Sequence, residues 1–173
     1  MASETALPQV KLTANEQLAE FVSQFYADPL GFVLACYPWG EPGMLAAEPG
    51  PDENQRAFLI DLGKEVEKRR FDGHTPVEPI RMAETKGHGT GASTKGAWIA
   101  DWILSTRPNS IGTVTAGTYT QLEGRTWAAV QHWTKLCMTA HWFDIRAGGI
   151  FHKLHRETWK ILPQTCRPEN AQS

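Results

Sequence analysis

The spacing of apolar residues predicts three helices outside the middle of the chain. Thr13 fits a helix N-cap, and Glu16 three residues later completes a capping box ahead of a helically spaced apolar run. Asp28-Pro29 is predicted to end this helix, and two further helices are predicted over residues 53–70 and 119–136. Their apolar stripes are Leu18, Phe21, Val22 and Phe25 in the first, Phe58, Leu59, Leu62 and Val66 in the second, and Leu122, Trp127, Val130, Trp133 and Leu136 in the third.

A glycine-rich loop lies between two predicted regular elements in the middle of the chain. Residues 77–83 are predicted as a short strand, although prolines in and beside that segment disfavour it. Gly87, Gly89 and Gly91 follow, as expected where backbone turns sharply and comes close to a ligand. The next run, 93–105, is apolar almost all round, which predicts a buried helix.

Short apolar runs predict four strands in the second half of the chain. Residues 111–115 are predicted as a buried strand after the post-loop helix. The order strand, loop, helix, strand is a βαβ unit, which implies a parallel sheet and an α/β fold class. Further strands are predicted over 142–146, 150–154 and 159–162, the first two joined by the turn Ala147-Gly148-Gly149.

The composition is that of one globular domain. The 173 residues are 41% hydrophobic and 21% charged, and the formal net charge of −2 gives no sign of nucleic acid or anionic membrane as a partner. Cys36, Cys137 and Cys166 are widely spaced, which favours a reducing compartment over a disulfide framework or zinc site. Without a secretory signal or a membrane-spanning run, the sequence predicts a soluble intracellular protein with a loose leader over residues 1–12.

The glycine-rich loop is close to the phosphate-binding pattern G-x-x-x-x-G-K-[S/T]. In that pattern the amides cradle phosphate oxygens, the lysine neutralises them and the hydroxyl binds Mg²⁺. Gly91 and Ser93 match, but Ala92 occupies the lysine position and Lys86 the position of the first glycine. A helix that begins after the loop would point its positive end at a phosphate. The loop is therefore a candidate nucleotide site with its lysine relocated or lost, and a turn without a ligand is the alternative.

Several segments in one order carry a resemblance to a known family. They are residues 37–43, 50–55, 87–91, 97–108 and 114–127. The ordered set resembles the N-terminal region of phage terminase large subunits, the ATP-driven motors that translocate viral DNA into a preformed capsid. The likeness runs from about residue 20 to the end of the chain and leaves out the nuclease domain of the family.

The resemblance implies a phosphate-loop (P-loop) NTPase fold in which helices flank a parallel sheet, with ATP and Mg²⁺ as cofactors. Residues 13–173 would be the N-terminal part of the ATPase domain, ending before the acidic Walker B strand, so this chain alone is expected to hydrolyse little ATP. In the intact motor the implied partners are double-stranded DNA, the small terminase subunit and the portal, with oligomers forming on assembly in the host cytoplasm. The alternative is a non-catalytic interaction module that binds another terminase subunit, the portal or a host protein.

Terminases can carry the phosphate-binding lysine at the head of the loop, and residues 86–93 fit that pattern. The resemblance thus implies that Lys86 is the catalytic residue on the triphosphate and that the Ser93 hydroxyl binds Mg²⁺. The competing interpretation is that Ala92 replaces a lysine and the loop binds nucleotide poorly. By analogy Gln55 recognises the adenine edge, and a solvated helix residue is its alternative. The full implied ATP-binding set is Gln55, Lys86, Gly87, His88, Gly89, Thr90, Gly91, Ala92, Ser93 and Thr94.

Three other groups of residues have structural interpretations. His152 and His155 are predicted to lie on opposite faces of a strand, which disfavours a shared metal. A basic cluster near residues 64–70 is interleaved with acids and predicts a solvated helix face. Trp39 is predicted to pin the N-terminal segment onto the domain. The tryptophans at helical positions are predicted to be core rather than base-stacking platforms: Trp98, Trp102, Trp127 and Trp133.

Overall fold

A computed structural model describes residues 12–72, 74–84 and 91–165. Four helices precede the first strand, and a helical stretch with a π-helical segment separates that strand from the other three. No helix in these three ranges is both long enough and apolar enough to cross a bilayer. The elements are α1 (Ala14–Ser23), α2 (Pro29–Cys36), α3 (Glu53–Arg69), α4 (Ala92–Thr106), β1 (Ile111–Ala116), α5 (Tyr119–Gln121), a π-helix (Leu122–Trp127), α6 (Ala128–Leu136), a 3₁₀ turn (Ala140–Trp142), β2 (Phe143–Arg146), β3 (Gly149–His152) and β4 (Lys160–Thr165).

The predicted starts of the helices are confirmed by their caps. Thr13 accepts from the backbone amide of Glu16, and the Glu16 carboxylate accepts from the amide of Thr13 at 2.7 Å. The predicted end of the first helix is wrong, because α1 ends at Ser23. Asp28 instead caps α2 by accepting from the amide of Gly31 at 2.8 Å, with Pro29 at the first helical position, where its missing N–H costs no hydrogen bond.

The sheet is mixed, with the strand order β1-β4-β3-β2. Only β1 and β4 run parallel, whereas β2, β3 and β4 are joined in antiparallel pairs. The predicted parallel sheet is therefore wrong beyond one strand pair. The cause is the tight Ala147-Gly148 turn, which folds β3 back against β2, since a parallel pair needs a crossover of a dozen or more residues.

Two strand predictions near the loop are also corrected. Residues 77–83 contain no strand, so the predicted strand–loop–helix–strand unit does not form. Prolines remove ladder donors there, and the Arg69 guanidinium donates to the carbonyls of Glu78 at 2.6 Å and Pro79 at 3.3 Å. β1 forms as predicted but is not buried: it lies at a sheet edge, and its side chains alternate between exposed and half-buried.

The core consists of two hydrophobic clusters, one among the helices and one between α4, α6 and the sheet. Trp98, Trp102 and Trp127 are at most 2% exposed, as predicted. Trp39 packs edge-on against Trp98 with ring centroids 5.8 Å apart, and its indole N–H donates to the carbonyl of Val33 at 2.7 Å. These contacts confirm that Trp39 attaches the turn-rich segment after α2 to the domain.

The basic cluster on α3 is a surface ion-pair network, as predicted. Lys64 pairs with Asp61 at 2.8 Å, and Lys68 and Arg69 both pair with Glu65. The two lysine side chains are more than 60% exposed. Such exposed pairs contribute little stability.

Candidate nucleotide site

The residue that precedes α4 is a glycine whose backbone angles lie in the left-handed helical region. Gly91 has φ +69° and is the N-cap of this 15-residue helix, and its carbonyl accepts the first helical bond from Lys95 at 2.9 Å. Gly91 has no side chain that could cap the amides of the first turn. The positive end of the helix therefore presents amides that suit an anion.

Gln55 lies directly against this glycine. A Cβ atom at position 91 would come within 2.3 Å of the Gln55 Nε2, so only glycine leaves room for the amide side chain. The Gln55 Oε1 accepts from the amide of Asp52 at 2.8 Å, and Asp52 accepts from the amide of Gln55 at 2.8 Å, completing the capping box of α3. Gln55 is 8% exposed, so the alternative of a solvated glutamine is wrong.

A pocket of about 600 Å³ lies beside the contact between Gln55 and Gly91, and both residues line it. Gln55, Gly91 and Thr94 come from the predicted ATP-binding set. The aromatic part of the wall comes from elements distant in sequence, so the sequence offered no local signal for it. The lining residues are Trp39, Met44, Leu45, Glu48, Pro49, Gly50, Pro51, Asp52, Gln55, Gly91, Thr94, Trp98, His132 and Trp133.

The remaining predicted site residues divide into two groups. Ala92 is exposed and Ser93 is half-buried, both in the first turn of α4. Lys86, Gly87, His88, Gly89 and Thr90 lie outside the described residues, as do Cys166 and residues 1–11 of the predicted leader. The structure thus brings together Gln55, Gly91 and Thr94 at the helix end.

A buried lysine near the loop was missed by the sequence reasoning. The Lys95 side chain is 5% exposed, pairs with Glu84 and lies 3.9 Å above the ring centroid of Phe58. The signal available in the sequence was a single lysine in an otherwise apolar helical run. Because Glu84 and the aromatic ring compensate its charge, this ammonium has a structural role in the described arrangement.

We expect Gly91→Ala to destabilise the protein by roughly 1–2 kcal/mol, because a left-handed backbone opposes any Cβ atom and this one would displace Gln55. Urea unfolding measures the difference. Gly96→Ala is the matched control, since Gly96 is in the same helix with open space around it. There alanine should be neutral or stabilising by up to about 1 kcal/mol. Equal effects at the two positions would contradict this account of Gly91.

The prediction that His152 and His155 lie on opposite faces of a strand is wrong, because β3 ends before His155. The strand ends at His152, and the rings of His152 and His155 stack with centroids 5.2 Å apart, so they share one side. The His152 Nδ1 accepts from the amides of Leu154 and His155 at 3.3 and 3.2 Å, which turns the chain. Burial and the neighbouring His155 lower the pKa of His152. In the described part of the chain, no group of three or more His, Cys, Asp or Glu side chains could hold a metal ion.

A buried carboxyl in the helical core was also missed. The Asp101 carboxyl is 2% exposed and has a hydroxyl at each oxygen, from Tyr37 at 2.6 Å and from Thr134 at 2.6 Å. The Thr134 hydroxyl is also 2.8 Å from the carbonyl of Val130. A hydroxyl has one proton, so it cannot donate to both acceptors.

A protonated Asp101 resolves this shortage of protons. Its own O–H then donates to Thr134, the Thr134 hydroxyl donates to Val130, and the Tyr37 hydroxyl donates to the other carboxyl oxygen. Burial raises the pKa of Asp101 to about 7, although the two hydroxyl contacts oppose that shift. Desolvation is the larger effect and favours the neutral acid, and in that state each hydroxyl proton has one acceptor.

Comparisons with protein families, with curated proteins and with solved structures return no match to this chain. The functional argument therefore depends on the motif and the geometry of the pocket.

Proposed function

We propose that this chain is the nucleotide-binding part of a P-loop ATPase of the terminase large-subunit kind, in which ATP powers the packaging of viral DNA. The observation that carries the proposal is the pocket at the N-terminal end of α4. Its lining includes Gln55, Gly91 and Thr94, which the motif and the resemblance assign to one site. In the intact motor the partners would be double-stranded DNA, the small terminase subunit and the portal, in the host cytoplasm.

The residues at this site suit a nucleoside triphosphate. The first-turn amides of α4 would bind phosphate oxygens, and the bare Gly91 allows a ligand to approach the backbone. Lys86 would neutralise the phosphate charge. The Gln55 amide, already oriented by its capping contact with Asp52, would donate to an acceptor on the nucleotide, and the ring of Trp39 offers an apolar wall.

Ser93 is the residue that would bind Mg²⁺, through its hydroxyl in the first turn of α4. When bound, Mg²⁺ neutralises charge on the phosphate oxygens during phosphoryl transfer. The protein's own contribution is electrostatic, through oriented amides and one ammonium group.

A second candidate is a non-catalytic interaction module derived from such a domain. Ala92 at the usual lysine position favours it, as does Lys95, whose ammonium is already paired with Glu84. The partner would be another terminase subunit, the portal or a host protein.

Calorimetric titration with a non-hydrolysable ATP analogue and Mg²⁺ separates the two candidates. We expect saturable binding that weakens at least about tenfold in Gln55→Glu, because this change keeps a capping-box acceptor but replaces the amide donor with a negative charge. Gln17→Glu is the matched control, since Gln17 is exposed in the first turn of α1. No binding at millimolar nucleotide would favour the interaction module.

A further inference from the structure

An apolar cleft lies between α3, residues 76–82 and α4. It consists of two cavities of about 390 and 720 Å³ that share Val66, Ile80 and Arg107. Among the described residues, the smaller cavity is lined by apolar side chains and by one charged residue, Arg107. Arg107 is the C-cap of α4, so the 15-residue helix places its backbone roughly 20 Å from that of Gly91, the N-cap.

The Arg107 guanidinium lies against two aromatic rings. Its central carbon lies 4.1 Å from the ring centroid of Tyr26 and 4.0 Å from that of Trp102, both within the distance of a cation–π contact. The N–H groups at the edges of the planar group are the part that can form hydrogen bonds with a further ligand.

Several of those N–H groups have no partner in the described part of the chain. One nitrogen donates to the Thr106 hydroxyl at 2.6 Å and another to the carbonyl of Tyr26 at 2.8 Å. A guanidinium has five N–H donors, so three remain. Among the described residues no carboxylate lies within 4.0 Å of Arg107, whereas Arg69, which lines the same larger cavity, pairs with Glu65.

The uncompensated charge is costly where it lies. Arg107 is half-buried, and burial lowers its pKa. The two rings and the negative end of α4 offset part of that cost. A carboxylate would offset the rest, because it matches the edge of a guanidinium with two parallel hydrogen bonds.

We propose that this cleft binds a small organic monocarboxylate, with its carboxylate on the free edge of Arg107 and its apolar body in the smaller cavity. A phosphate dianion is a poorer match, because one guanidinium would leave most of its oxygens facing apolar walls. The side chains that would surround the apolar body include Phe58, Leu62, Met82, Ile99 and Ile103.

Calorimetric titration of the intact chain with octanoate and with octanol tests the proposal. Octanoate is expected to bind saturably and at least about tenfold more tightly than octanol, since hydrogen bonds to a charged group supply the difference. In Arg107→Gln the two probes should bind equally. Equal affinity in the unsubstituted chain, or no saturable octanoate binding below its micellar concentration, overturns the proposal.

A second variant keeps the test decisive if Arg107→Gln does not fold. Met82 is 36% exposed at the cavity wall, so Met82→Trp should fill the cavity and weaken octanoate binding at least about tenfold without touching Arg107. Met138→Trp is the matched control, because Met138 is 42% exposed in the turn after α6 and lines neither cavity. Unchanged octanoate binding in Met82→Trp contradicts the assigned cavity.

Discussion

Asp101→Asn is expected to stabilise the protein relative to the unsubstituted chain by an amount that grows as the pH rises. An asparagine amide can donate to Thr134 and accept from Tyr37, so it reproduces the hydrogen bonds of the protonated acid without the option of ionising. Urea unfolding of both proteins at a series of pH values measures the difference in the free energy of unfolding.

The direction of the effect follows from the two pKa values of Asp101. The folded value is raised to about 7, whereas the unfolded carboxyl titrates near its ordinary value of about 3.9. Between these values the folded protein holds a proton that the unfolded chain has released. The stability due to this group is therefore fully present below the unfolded pKa and is lost as the pH rises through about 7. Between about pH 5 and pH 8 the loss should be on the order of 2–3 kcal/mol.

Other groups near Asp101 do not reproduce this dependence. Tyr37 and Cys137 interact with the carboxyl, and Cys36 is a neighbour of both, but the pKa values of all three are raised, so they stay neutral through this range. Surface carboxyls such as Asp144 have lowered pKa values and lose their contribution on acidification, which is the opposite sign. They are common to both proteins and cancel in the comparison.

The exposed Asp61 provides the matched control, Asp61→Asn. If the difference in the free energy of unfolding between Asp101→Asn and the unsubstituted chain stays constant with pH, this account of Asp101 is contradicted.

Lys86→Ala is expected to weaken ATP binding by roughly tenfold to a hundredfold if the proposed function holds. The loss corresponds to one charged hydrogen bond to phosphate, about 1.5–3 kcal/mol. Ala92→Lys should change the affinity much less, because the proposed site already has its cation at the head of the loop. Calorimetric titration with an ATP analogue and Mg²⁺ measures both.

Lys64→Ala is the control for this pair, since Lys64 is exposed on α3 and forms a surface ion pair with Asp61. If Ala92→Lys greatly raises the affinity for the ATP analogue while Lys86→Ala leaves it unchanged, the proposal that Lys86 is the phosphate-binding lysine is wrong. The loop would then be one whose phosphate-binding lysine has been lost.

Local signals in the sequence predicted local structure well. The capping box at Thr13, the apolar stripe of residues 58–66 and the apolar run after Gly91 place the starts of three helices within a residue or two, because caps and periodicity act over short distances. The hairpin of β2 and β3 follows from its Gly-rich turn for the same reason.

Pairing between distant segments could not be predicted in this way. The parallel partner of β1 is β4, some fifty residues later, and no periodicity encodes that choice. Residues 77–83 look like a strand by composition, yet the side chain of Arg69 binds their carbonyls instead. Asp101 and Lys95 were missed because a buried charge depends on partners that only the tertiary fold brings together.

The candidate site shows the same division. The motif singled out Gly91, and the resemblance added Gln55 and Thr94, but neither indicated that the Gln55 amide lies against Gly91. The aromatic wall comes from Trp39 and Trp133, nearly a hundred residues apart in the chain.

A crystal structure of the chain grown with an ATP analogue and Mg²⁺ tests the central claim most directly. The account predicts the triphosphate at the first-turn amides of α4, with the Lys86 ammonium on a phosphate oxygen and the Gln55 amide on the nucleotide. A Lys86 side chain directed into solvent, with the loop closed over the amides and no anion at Gly91, would contradict it.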